Sequence, residues 1–106
     1  MDLVEAIYRV SAAFPKAELY GLTGQIRRAA ISIPSHIAEG RTRESTKEYL
    51  NYVSMAQASL AELETQLESA QRLKFLGTVE SQPLFEQAAI LGKQLWALRN
   101  ALGKRP

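Results

Sequence analysis

The chain has no cysteine. Disulfides, iron–sulfur clusters and zinc–thiolate sites are therefore excluded. No apolar run approaches the ~20 residues that a membrane span needs. The opening Met-Asp-Leu-Val-Glu has neither the basic region nor the hydrophobic core of a signal peptide. The expectation is a soluble, cytoplasmic protein with no membrane partner. A glycine-rich phosphate loop and a Ser/His/Asp arrangement are also missing; serine and threonine fall mostly at helix caps or small helix positions. There is no alternating strand pattern, low-complexity segment or internal repeat. An excess of one charge is nearly absent too. Thirteen Lys/Arg face eleven Asp/Glu, for a net charge of +2. A dedicated nucleic-acid binder usually carries more, although the pI is about 9.1. The small excess is uneven: residues 1–47 hold seven Lys/Arg and five Asp/Glu, and residues 48–106 hold six of each.

What is present is enough for one core. The 106 residues are 46% hydrophobic and 23% charged, which suits a single domain over residues 1–106. The stretch from Gly21 to Glu39 organises it. Leu22, Ile26, Ala29, Ile33 and Ile37 recur at steps of three or four and form one apolar helical stripe. Ala29, Ala30, Ser32, Ser35 and Ala38 keep the surrounding surface small, so a neighbour can approach closely. Thr23 reads as the N-cap and Gly40 as the left-handed stop. Pro34 lies inside the pattern and cannot donate to the Ala30 carbonyl. A kink is expected there, at a usual cost of about 3 kcal/mol that packing must offset.

Three further helices flank this one. Residues 2 to 13 form the first, with Asp2 and Glu5 as a capping box, Leu3, Ile7, Val10 and Phe14 as the stripe, and Pro15 as the stop. Lys16 to Gly21 is a connector with room for a helical turn. Ser45 and Glu48 form a second capping box. The helix they open runs from Thr46 to Leu76, with Gly77 as its stop. Tyr49, Val53, Ala56, Leu60, Leu63, Leu67 and Ala70 alternate by four and three in a coiled-coil-type seam, widened by Leu50, Met55 and Leu73. Thr78 to Gln82 reads as a turn, and Pro83 as the first turn of a fourth helix. Leu84, Ala88, Leu91, Leu95, Leu98 and Leu102 form its seam, and Gly103 with basic Lys104-Arg105-Pro106 closes it.

Four amphipathic helices with short connectors predict an all-α, antiparallel up-down-up-down four-helix bundle. The first helix is far shorter than the third and cannot cover it. Apolar surface left bare on the other helices predicts a homo-oligomer.

The residues from Gly21 to Thr65 resemble the bacterial four-helix-bundle family of 23S rRNA intervening-sequence proteins. Gly-Leu-Thr-Gly-Gln-Ile-Arg-Arg-Ala-Ala (21–30) and Ser-Ile-Pro-Ser-His-Ile-Ala-Glu-Gly (32–40) carry the resemblance. Arg43, Ser45, Lys47-Glu48 and Ser59-Leu60-Ala61-Glu62-Leu63-Glu64-Thr65 continue it without gaps. The family is similar in turn to accessory bundle proteins of diversity-generating retroelements. The resemblance implies a bundle assembled into a ring, commonly a homopentamer, with contacts to nucleic acid or to a protein partner. It supplies no catalytic residues. Members usually carry a longer first helix with an upstream Trp and Lys-Ala, whereas Met1 stands after that point here. Thr42 stands where a small or aromatic residue is common.

Candidate chemistry is sparse. His36 and Glu39 share a helix face, but di-iron bundles use Glu-x-x-His twice with further glutamates. The chain has one histidine and the reverse order, so no metal and no cofactor is expected. Glu64 and Glu68 share a face and Glu62 points elsewhere. Without a pocket to drive their pKa values apart they read as partners of Arg27 or Arg28 across the hairpin, or as solvated charges. Neither catalytic residues nor a small-molecule substrate is expected, and the chain reads as a non-enzyme. Trp96 stands beside the fourth seam, as half-buried core or, since tryptophan is enriched there, as an interface anchor. The notable charge cluster is Arg41, Arg43 and Lys47 around the turn before the third helix, with Arg27 and Arg28 as supports. Beside a helix N-terminus, these residues suit RNA or DNA phosphates, and repetition around a ring would add weak contacts. Tyr52 is the aromatic free to join them. The alternative is a protein-interaction scaffold whose apolar surface receives a partner helix.

Overall fold

The computed structural model describes residues 2–105; Met1, and Pro106 of the basic closing segment, lie outside the described residues. The described residues form four helices: α1 (Asp2–Ser11), α2 (Leu22–Arg41), α3 (Thr46–Arg72) and α4 (Thr78–Gly103). A single 3-10 turn at Lys16–Glu18 sits in the first connector. No strand occurs among the described residues.

The Ser45 cap forms as the sequence predicts. Its hydroxyl accepts from the Glu48 N–H at 3.1 Å and so satisfies one orphan donor of α3. The reciprocal half differs. The Glu48 carboxylate returns to the Ser45 hydroxyl, 3.2 Å away, rather than to its backbone.

Several predicted boundaries move. Helix α1 ends at Ser11, although Phe14 beyond it is still buried. The N-cap of α2 is Gly21, not Thr23. Thr23 is buried and its hydroxyl finds no partner. Gly40 is not a stop, because α2 continues through it to Arg41. Helix α3 ends four residues early, at Arg72, and Lys74 takes the left-handed φ of 63° in place of Gly77. The Phe75 N–H donates to Ala70 O and the Lys74 N–H to Gln71 O, the paired bonds of a Schellman ending. Gly77 instead caps α4, whose first turn is Thr78–Ser81. Pro83 is therefore inside that helix rather than at its start. Pro34 also stays within one continuous α2. Ser32 and Ser35 beside it turn their hydroxyls onto the Arg28 and Ile31 carbonyls, at 2.7 and 2.9 Å.

Helix α2 packs along α3 over the most extensive contact; α3 packs on α4, and α1 lies against both α2 and α4. The four enclose one cluster that includes Ile7, Ile26, Ile33, Leu60, Leu63, Leu67, Ala88 and Leu95. The predicted α3 seam is buried from Val53 to Ala70, while Tyr49 and Leu50 are only half-buried and Met55 and Leu73 are exposed. The connectors are tied in as well. Phe14 and Phe75 meet with ring centroids 5.9 Å apart.

The molecule measures 49 × 24 × 19 Å. The ten residues of α1 span only about 15 Å, and the 27 of α3 about 40 Å. Helix α1 is thus too short to run the length of α3. Trp96, on the end part of α4, is 59% exposed.

Candidate nucleic-acid interface

The α2–α3 loop joins Arg41 to Thr46. Close approach of the two helices begins at Gly40. A Cβ there would lie 2.8 Å from Tyr52 Cβ and 2.9 Å from Tyr49 Cδ1. Only the absence of a side chain lets both tyrosines seat against α2. Thr42 then closes α2, its hydroxyl donating to the Glu39 carbonyl at 2.7 Å. Arg43 turns back over the new helix. Its Nη2 donates to the Tyr52 hydroxyl at 2.7 Å, and its Cζ lies 4.8 Å from the centre of the tyrosine ring. The His36 ring is also near, tilted against Tyr52 with centroids 6.4 Å apart. Its Nδ1 is 3.5 Å from the Glu39 carboxylate, yet the geometry is not that of a hydrogen bond.

Arg41, Arg43 and Lys47 are all exposed. None of the three pairs with a carboxylate among the described residues. Of their acidic neighbours, Glu39 lies 3.5 Å from His36 Nδ1 and Glu48 accepts from the Ser45 hydroxyl. The remaining two predicted residues are elsewhere. Arg27 donates to Ser11 Oγ at 2.8 Å and to the Tyr8 carbonyl at 3.3 Å, and lies over the Tyr8 ring. It fastens α1 to α2. Arg28 is thirteen residues before Arg41, about 20 Å along the helix axis. The structure therefore gathers Arg41, Arg43 and Lys47, and leaves Arg27 and Arg28 apart from them.

No glutamate bridges to Arg27 or Arg28 across the hairpin among the described residues. Glu68 pairs with Arg72 of its own helix at 3.6 Å, in the open. Glu62 and Arg28 instead line one cavity between α2 and α3, together with Gln25, Ala29, Ser32, His36, Ser59 and Gln66. The sequence reading missed this cavity. Its signal was the polar spacing 25, 28, 32, 36 on α2 and 59, 62, 66 on α3, which runs beside the apolar stripes. No three His, Cys, Asp or Glu side chains among the described residues cluster as metal ligands would. None of the described helices is long and apolar enough to cross a membrane.

Four amphipathic helices around one core, joined by short connectors, define an all-α four-helix module. The chain belongs to the 23S rRNA-intervening sequence protein family, whose family model matches residues 1–97. The match takes in α1 to α3, the basic loop and most of α4. No curated protein matches the chain.

Proposed function

We propose that this chain is a non-enzymatic, oligomeric binding module that contacts RNA or DNA through the α2–α3 loop. The observation that carries this reading is the state of Arg41, Arg43 and Lys47, exposed and without carboxylate partners beside a tyrosine. Phosphates would meet the three cations. The guanidinium of Arg43 covers Tyr52 in the free protein and would give way to a base, which stacks on a tyrosine ring with similar geometry. Three cations make a weak site on one subunit. Each phosphate neutralised in a single strand contributes about −0.7 to the slope of log K against log salt, so one subunit gives roughly −2. Several subunits acting together convert that into useful affinity.

The up-down arrangement and the ring belong to the same proposal. Sequential helices are neighbours, and the connectors are short, which favours antiparallel order. Exposed apolar side chains flank α4 on two different edges. Ile90 is 57% exposed at the α1 edge, and Trp96 is 59% exposed between Gly92 and Arg99, two residues that meet α3. Two unlike patches suit a head-to-tail ring, such as a pentamer, better than a two-fold dimer. The same patches favour a second reading, a scaffold that receives a partner helix.

Binding of labelled single-stranded and structured RNA across a salt series tests the proposal, with Arg41→Glu/Arg43→Glu alongside. Binding that weakens steeply with salt and is lost in the variant is expected. No binding at low salt would overturn the interface and leave the scaffold.

A further inference from the structure

The cavity between α2 and α3 is unused by the loop interface. It is a groove of about 520 Å³ open to solvent, with exposed Gln25, Arg28 and Glu62 on its rim. Opposite charges line it without meeting. Arg28 stands on α2 and Glu62 on α3, and no ion pair joins them. One lining side chain also holds a buried polar atom with no partner, Gln66 Oε1, while His36 Nδ1 has only the Glu39 carboxylate 3.5 Å away. A buried polar atom without a partner is uncommon in a finished interior. The floor is made of small residues, Ala29 and Ser59, both buried, so a flat group can lie close to the backbone.

Resting on the reading of the loop as a nucleic-acid interface, we propose that this cavity receives an unstacked guanine base of the bound strand. Among the four bases, guanine alone offers two adjacent donors, N1–H and N2–H, to one carboxylate. It alone also offers paired acceptors, O6 and N7, to one guanidinium. Glu62 and Arg28 supply those two groups from opposite walls. The amides of Gln25 and Gln66 can both donate and accept along the sugar edge. The His36 imidazole closes one wall and links the cavity to the loop, since His36 lies against Tyr52 and Tyr52 under Arg43. A strand held by its phosphates at Arg41, Arg43 and Lys47 thus has a continuous path along the helix pair. The Glu62 charge also repels a strand that offers it no donor, which adds discrimination.

The test uses the isotope-labelled full chain and guanosine, adenosine, cytidine and uridine monophosphates, followed by amide chemical shifts. Guanosine monophosphate is expected to shift Ser32, Ser59 and Gln66 saturably, at least about tenfold more tightly than the other three. Glu62→Gln is expected to remove that preference without altering the melting temperature, because the side chain is exposed. Arg41→Glu/Arg43→Glu should leave the shifts in place. Equal responses to all four nucleotides, or shifts confined to the loop, would overturn the guanine site. Two labelled decamers, one with guanine and one without, separate this result from the fate of the loop. If both bind equally and both are lost in the loop variant, the interface stands and the guanine site falls. If guanosine monophosphate is held while neither decamer binds, the guanine site stands and the strand reading falls.

Discussion

Gly40 shows how one missing side chain fixes both shape and site. The sequence suggests a left-handed stop there, because glycine commonly ends helices that way. The structure uses the glycine differently. Its φ is not positive, and its role is to admit Tyr49 and Tyr52. Gly40→Ala is therefore expected to destabilise the protein by about 1–3 kcal/mol, the usual cost of overpacking a filled contact, despite alanine's better helix propensity. Urea denaturation measures this. A neutral or stabilising result would mean that Tyr52 moves aside easily, and the Arg43–Tyr52 arrangement would then be loose as well. Arg27 carries a second lesson at this scale. Its position on the flank of a stripe suggested a glutamate across the hairpin. The nearer α1 supplied acceptors instead, the Ser11 hydroxyl and the Tyr8 carbonyl. Charge pattern along a chain does not reveal which neighbour arrives first.

At the scale of elements, periodicity was the most legible signal. All four helices stand where apolar residues recur by three and four, and most seam positions are buried. Boundaries were less legible, because caps depend on backbone geometry that several residue types satisfy. Lys74 adopts the left-handed conformation within a Schellman ending, although a lysine there costs about 1–2 kcal/mol more than a right-handed one. The two backbone bonds it allows, and the approach of Phe75 to Phe14, offset that cost. The loop cations were readable from sequence because they are adjacent in it. The α2–α3 cavity was not, since its walls come from residues more than twenty positions apart. Pro34 is the element-scale test. The helix is continuous around a residue that leaves the Ala30 carbonyl without its usual donor. Pro34→Ala restores that bond and should raise stability by up to about 3 kcal/mol, seen as a higher melting temperature. Light scattering on the same sample reports whether the proline also shapes assembly. A lower melting temperature would show that the ring of Pro34 fills a contact that alanine cannot.

At the scale of the whole molecule, the question is what covers α4. Gly92 approaches Leu60 and Arg99 bonds to Gln57, so the face carrying both borders α3. Trp96 falls between them in the same three-and-four spacing and is exposed on that border. Ile90 is exposed on the other border, beside Asp2 and Leu3 of α1. If the two patches meet between subunits, the contact is head to tail, and a ring closes from it. Light scattering should then give a multiple of the 11.8 kDa chain at micromolar concentration, and a blue-shifted Trp96 emission that reddens on dilution. Trp96→Glu and Ile90→Glu each remove one half of the contact, so each alone should be monomeric. Mixed together, they should pair, because each retains the half that the other has lost, and the mass should stop at two chains. A two-fold contact of Trp96 with Trp96 behaves differently. Ile90→Glu alone would then remain a dimer, and mixing would rescue nothing. A wild-type mass of one chain would exclude the ring. The loop cations would then act singly, with an affinity too weak to hold a strand at physiological salt.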